Sequence, residues 1–290
     1  MAQRFGLIAG WGEFPVRVVE ALQRRGGQVY CVGIVGHADP ILQSMCDGFM
    51  WGAVARTGAH MRFFHQHDVS VATMAGKIFK SLIFQRNLIL RNLPDWTFLR
   101  FFYESLVLRR KDCKDDTLLL AAVRMYQHHG IDMAAATDLV PEILVPAGSL
   151  GGRRPTAGEW ADIEFGWRLA KEMGRLDVGQ TVVVKNRAAL GVEAVEGTDA
   201  CIRRCGPLCP AGGFSVVKVA KPQQDMRFDV PTIGLETLRS IQAAGGSVLA
   251  VEAERTIILN PQDVAAFAAK HRLAVLAVRE SDFTQRIEAA

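Results

Sequence analysis

The chain has 290 residues, 49% of them apolar, with 34 basic and 30 acidic side chains and a net charge of +4. That length and apolar content exclude a disordered chain and favour two domains of ordinary size. So small and dispersed a charge argues against nucleic acid as a partner and suits an anionic substrate.

Residues 5–9 form an apolar run, followed by Gly10-Trp11-Gly12 and then by a segment with apolar residues at 14, 16, 18, 19 and 22 that ends in Gly26-Gly27. This predicts strand, glycine turn and helix. Further strands are expected at 28–35, 48–54 and 69–76, with a helix over 55–68 between the last two. Strands alternating with helices imply a parallel sheet with right-handed crossovers. The pattern turns helical from Pro94 to Gly130, so residues 1–140 are expected to form an N-terminal Rossmann-like domain in an α/β protein.

Residues 141–290 read as a C-terminal α+β domain. A loop rich in Gly and Pro over 145–156 precedes an amphipathic helix from Ala157 to Met173, stopped by Gly174. A hairpin follows, turning at Lys185-Asn186-Arg187, then a short helix and a strand over 214–220. A helix over 231–246 would carry Pro231 in its first turn. Strands over 247–253 and 256–259 lead to Asn260-Pro261 as the cap and first residue of the next helix, and 273–278 forms a closing strand. The longest apolar stretches, such as 117–123 and 247–253, fall far short of the roughly 18–20 residues of a membrane span. The N-terminal residues lack the pattern of a signal peptide, so a cytoplasmic location is expected.

The cysteines at 31, 46, 113, 201, 205 and 209 are scattered through a chain that needs no staples, and free thiols are the expectation. The spacing Cys201-x3-Cys205-x3-Cys209 matches neither zinc pairs nor the common iron–sulfur runs.

Gly10-x-Gly12 between strand and helix is an arrangement that lets backbone N–H groups approach a phosphate or sugar; a tight turn that merely joins strand to helix is the alternative. The full dinucleotide fingerprint wants a glycine where Pro15 stands and an acid at the end of the second strand, which reads "CVGIVGH", so a nicotinamide enzyme is disfavoured. In the second half Asp177, Glu196, Asp199 and Asp229 all sit at the ends of expected elements, where sites are commonly built. Thr198-Asp199 could instead cap a helix, and Asp229 could satisfy a helix dipole. Lys218 and Lys221 read either as a solvated strand edge or, near those carboxylates, as partners of a divalent ion and a pyrophosphate.

Taken together, "GLIAGWGEFP", "GRLDVGQTVVV", "VEAVEGTDA" and "KVAKPQQDMRFDVPTIGLETL" resemble, in order and spacing, the UDP-2,3-diacylglucosamine pyrophosphatases of the LpxI family, and "AGKIFK" partly matches the family's strand-end segment. The resemblance covers nearly the whole chain. It implies a two-domain hydrolase with Mg2+ as cofactor, acting in the lipid A biosynthesis of Gram-negative bacteria. The reaction would split a lipid-linked UDP-sugar, UDP-2,3-diacylglucosamine, into UMP and 2,3-diacylglucosamine 1-phosphate. It also implies a homodimer and a cytoplasmic enzyme that meets the inner-membrane surface transiently, with the aromatic run 96–106 as a candidate contact for acyl chains beside the reading of an ordinary buried helix face. Asp229 matches the family's essential aspartate and Asp199 is the second carboxylate. Both are expected as catalytic and metal-binding residues, with Gly10, Gly12, Lys77, Gln180, Thr198, Lys218 and Lys221 on the substrate. A carrier that binds the same ligand without turnover, and a nucleotide-dependent oxidoreductase, are the competing readings.

Overall fold

The computed structural model describes residues 2–78, 95–100, 115–227 and 230–288, with the side chains of 115–118 and 285–288 outside the description. The chain forms two compact units, the first running up to Ile143 and including Met226 and Arg227, the second comprising the other described residues from Leu144 onward.

The first unit is built on β1 (Arg4–Ala9), β2 (Gln28–Ile34), β3 (Gly48–Gly52), β4 (Val71–Ala75) and β5 (Asp132–Met133), all parallel in the order β3-β2-β1-β4-β5. Alternation along the strands builds two cores, one on each face of the sheet. Phe5, Leu7 and Ala9 with Val29 and Cys31 belong to one, which the helix Phe14–Arg24 covers with Val18, Val19 and Leu22. Ile8 with Tyr30, Val32 and Ile34 belongs to the other, covered by Met61 and Phe64 of the helix Thr57–Gln66 and by Tyr126 of the helix Asp115–His128. The strand order reverses between β1 and β4, the position where open α/β sheets place ligands.

The second unit carries a six-stranded mixed sheet of β6 (Gly148–Gly152), β7 (Thr181–Lys185), β8 (Ala188–Val192), β9 (Ser215–Lys218), β11 (Val248–Glu252) and β13 (Ala274–Val278), ordered β6-β13-β11-β9-β7-β8. β9, β11 and β13 run parallel; β6 and the β7–β8 hairpin are antiparallel to their neighbours. A separate parallel pair joins β10 (Thr232–Ile233) to β12 (Ile257–Ile258). Again the faces alternate. Val182, Val184 and Val217 pack on Ile163 and Trp167 of the helix Ala157–Arg175, whereas Val183 and Val216 pack on the side of the helices Thr198–Cys205, Leu235–Ala243 and Pro261–Lys270. The hairpin turns at Asn186 and Arg187, both at positive φ (49° and 58°), as a two-residue turn matched to strand twist requires. Their amides donate to the buried Asp162 carboxylate at 3.1 and 2.6 Å.

Three expectations change. Residues 148–152 form an edge strand rather than loop, because its glycines allow close packing: a Cβ on Gly151 would stand 2.7 Å from the Ala265 backbone. Gly174 does not stop its helix, which runs on to Arg175; it is a point of close approach, where a Cβ would lie 3.2 Å from Lys221 Cα. Pro231 opens no helix, since Thr232–Ile233 pairs with Ile257–Ile258 and the helix begins at Leu235 after Gly234. Asn260 and Pro261 stand as expected in the capping position and at the first residue of their helix, with Asn260 in the left-handed region and without a side-chain cap bond.

Candidate functional site

In the first unit, Gly10, Gly12 and Lys77 come together at the strand-order reversal. Gly10 N–H donates to Ala75 O at 2.8 Å, and Trp11 and Lys77 exchange backbone hydrogen bonds of 2.8 and 2.9 Å. The Gly10 and Trp11 amides are thus engaged within the fold. A Cβ on Gly10 would lie 2.7 Å from Lys77 O, so the close approach of two backbones requires glycine there. Gly12 is glycine for conformation, at φ 105° with open space around its Cα. Pro15 occupies the place of the third fingerprint glycine, its ring against Gly76. Lys77 itself is exposed.

In the second unit, a polar cluster forms where β7, β8 and β9 meet the helix Thr198–Cys205. Register places Thr181 opposite Lys218, and both are buried. Lys218 Nζ donates to Thr198 Oγ1 at 3.1 Å and to Thr232 O at 3.0 Å. Thr198 Oγ1 donates to Glu193 Oε1 at 3.0 Å and lies 3.4 Å from Thr181 Oγ1. Thr198 is therefore the first helical residue, after Gly197 in the capping position, and its hydroxyl serves the cluster rather than the helix end. Asp199 Oδ1, Gln180 Oε1 and Glu193 Oε2 are inaccessible and without a partner among the described residues. Buried oxygens of this kind are costly unless something donates to them.

The other charged residues have separate partners. Lys221 Nζ reaches Asp177 at 2.7 Å, and Asp177 sits at positive φ in the turn after its helix. Glu196 accepts from Arg204 at 2.8 Å and from the Ala194 amide at 3.1 Å, an exposed pair that shapes the turn before Thr198. Lys171 and Glu252 form a partly buried ion pair at 2.6 Å; Glu252 also accepts from Ala220 N, and Lys171 donates to Ala220 O. This pins the backbone just beyond β9. Cys201 and Cys205 are core residues, with burial pushing the Cys201 thiol up to about 12, and Cys209 donates to Gly212 O.

Asp229 lies outside the described residues, as do residues 101–106 of the aromatic run; Trp96 within that run is 79% exposed. Sequence reasoning missed Glu193 and Thr181. Their signal was faint: a single acid between apolar residues at a strand end, and a threonine opening an apolar strand.

An Mg2+ ion takes hard oxygens, often one or two carboxylates with the rest supplied by substrate phosphates and water. The unpartnered oxygens of Asp199, Gln180 and Glu193 match that donor chemistry. Among the described residues no three His, Cys, Asp or Glu side chains form a metal cage. No helix among them is long and apolar enough to cross a membrane.

Family models match nearly the whole chain: the LpxI N-terminal domain over residues 4–143 and the LpxI C-terminal domain over 146–276. The UDP-2,3-diacylglucosamine pyrophosphatase LpxI of Caulobacter vibrioides is 30% identical over 287 residues, covering 95% of this chain and 98% of that protein. Among solved structures, the biotin carboxylase domain of Hydrogenobacter thermophilus 2-oxoglutarate carboxylase is 14% identical with a TM-score of 0.25, covering 84% of this chain and 41% of that one. That likeness is too slight to bear on fold or function.

Proposed function

The chain belongs to the LpxI family, and on that premise we propose that it is a UDP-2,3-diacylglucosamine pyrophosphatase, hydrolysing the pyrophosphate bond to give 2,3-diacylglucosamine 1-phosphate and UMP in lipid A biosynthesis. Water forms the new P–O bond, the bridging P–O bond breaks, and the two protons of water end on solvent and products. The observation that carries this reading is the match of both family domains to a chain whose second unit holds a buried lysine in a polar cluster at a strand end.

Lys218 supplies fixed positive charge. Its ammonium is buried, held by Thr198 Oγ1 and Thr232 O, and so needs little reorganisation as negative charge grows on phosphoryl oxygens. Lys221, held by Asp177 and partly exposed, adds charge at the mouth of the same strand end. Thr198 orients Lys218, and Gln180, one residue before Thr181 in β7, presents its buried side-chain oxygen to the ligand. Asp199 and Asp229 are the residues to hold Mg2+ and to orient the attacking water. When bound, Mg2+ would neutralise charge on the pyrophosphate. Gly10, Gly12 and Lys77, at the reversal of the first sheet, are assigned to the nucleotide or sugar part of the substrate. A homodimer and transient contact with the inner-membrane surface belong to the same reading, because a diacylated substrate resides in a bilayer.

The deciding experiment is UMP release from UDP-2,3-diacylglucosamine by the purified protein with Mg2+, with EDTA, and with Asp229→Ala. Turnover that needs the metal and disappears in the variant is expected. A folded native protein that binds the substrate without splitting it would instead favour a carrier.

A further inference from the structure

We propose that Glu193 is a positioning residue of the hydrolytic site, aiming the Lys218 ammonium through the Thr198 hydroxyl; this rests on the pyrophosphatase reading above. Glu193 follows β8, and its place is fixed by backbone as well as side chain. Its N–H donates to Thr181 O at 2.9 Å, and its carbonyl packs so closely on Gly179 that a Cβ there would stand 1.9 Å away. The residue is only 7% exposed, an uncommon place for a carboxylate unless charge or donors are near.

The hydrogen-bond directions follow from donor inventory. An ionised carboxylate only accepts, so the single Thr198 proton points to Glu193 Oε1 at 3.0 Å. The Thr198 oxygen then offers only lone pairs to its other neighbours. Lys218 Nζ, which only donates, fills one at 3.1 Å, and the Thr181 hydroxyl at 3.4 Å is directed to the other. The chain therefore runs in one sense, from Lys218 through Thr198 to Glu193. Without the carboxylate, the Thr198 hydroxyl could rotate its proton toward the ammonium and repel it. The second oxygen of Glu193, Oε2, is inaccessible and has no partner among the described residues, so Glu193 is not fully accounted for by the fold.

A double-mutant cycle tests this, with kcat, KM and melting temperature measured for Glu193→Ala, Lys218→Ala, the double variant and Glu193→Gln. Glu193→Ala is expected to lower kcat by roughly 10- to 100-fold with KM within about threefold, the pattern of an interaction used in the transition state. The double variant should be no slower than Lys218→Ala alone, because Glu193 acts through that lysine. Glu193→Gln, whose amide oxygen still accepts the Thr198 proton, should recover most of kcat. Where Glu193→Ala does not fold, Glu193→Met keeps the volume without the acceptor and takes its place in the cycle. Losses that multiply in the double variant, an unchanged kcat in Glu193→Ala, or a Gln variant no faster than Ala would each overturn the proposal while leaving the pyrophosphatase reading intact. A native protein that releases no UMP would overturn that reading, and the proposal with it.

Discussion

The Nζ of Lys218 lies 3.1 Å from the Oγ1 of Thr198, a residue 20 positions earlier in the chain. The contact exists because β9 ends beside the first turn of the helix Thr198–Cys205, with Thr181 of β7 registered opposite Lys218. It turns a buried lysine inward, away from the surface that Lys221 shares with Asp177.

If that ammonium meets the phosphoryl oxygens, Lys218→Ala should lower kcat by about 10²–10³-fold, the usual cost of removing one preorganised charge-stabilising donor. Lys218→Arg should remain impaired, because the planar guanidinium is larger and cannot keep both the Thr198 and Thr232 partners in a site this enclosed. Steady-state UMP release, with melting temperature as the folding control, decides it; a Lys218→Ala enzyme of native speed would remove Lys218 from the site.

Thr198 is the bridge of the cluster. Thr198→Val keeps its shape but strands a buried donor on Lys218 and a buried acceptor on Glu193, and should cost about 1–3 kcal/mol of stability. Thr198→Ser, which retains the hydroxyl, should cost less than the valine variant. Urea unfolding of the three proteins measures the order, and equal stabilities would mean that the hydroxyl carries no weight.

Glu252→Gln should destabilise the second unit by about 2–4 kcal/mol, since it leaves the Lys171 ammonium without its countercharge in a partly buried site. Lys171 has 23% of its side chain exposed, which keeps the expected loss toward the lower end. The Ala220 amide still finds an oxygen on glutamine, so the main change is electrostatic. Denaturant unfolding of the variant against the native chain provides the comparison.

In the first unit, burial pushes the His60 imidazole down to about 4, against the opposing pull of the Asp95 carboxylate, while its Nδ1 bonds the Tyr126 hydroxyl at 2.9 Å. Its unfolded value is 6.5, so the unfolded chain binds the proton first as pH falls. This contribution to stability is therefore complete above pH 6.5, declines between 6.5 and 4, and changes no further below that. Melting temperature measured across this range should fall more steeply for the native chain than for His60→Phe. Parallel curves would place the pH sensitivity elsewhere.

The fold was legible in the sequence to the extent that periodicity reports burial. Phe5–Ala9 and Gln28–Ile34 read as strands because buried parallel strands are apolar on both faces, and the helix after Gly12 declares itself by spacing. The hairpin was read from a polar turn, Lys185-Asn186-Arg187, between two apolar strands, and the structure adds that Asn186 and Arg187 are both left-handed. Glycine was ambiguous: Gly174 and the glycines of Gly148–Gly152 looked like punctuation and are instead places where another backbone comes close. A sequence gives the same letter for both uses.

The candidate residues divide in the same way. Thr198 and Lys218 stood out as polar groups at element ends, Gln180 was named through the family resemblance, and the three are gathered near one strand end. Glu193 did not stand out, and Asp177 and Glu196, which did, are engaged in exposed pairs with Lys221 and Arg204. The sequence by itself determined the α/β class with its two domains and the family, because these follow from the order and chemistry of long segments. Only the tertiary structure decided that the Thr198 hydroxyl bridges Lys218 and Glu193 rather than capping its helix. That choice depends on which side chains three strands and a helix bring within hydrogen-bonding distance of each other, a relation between distant positions that local pattern does not encode.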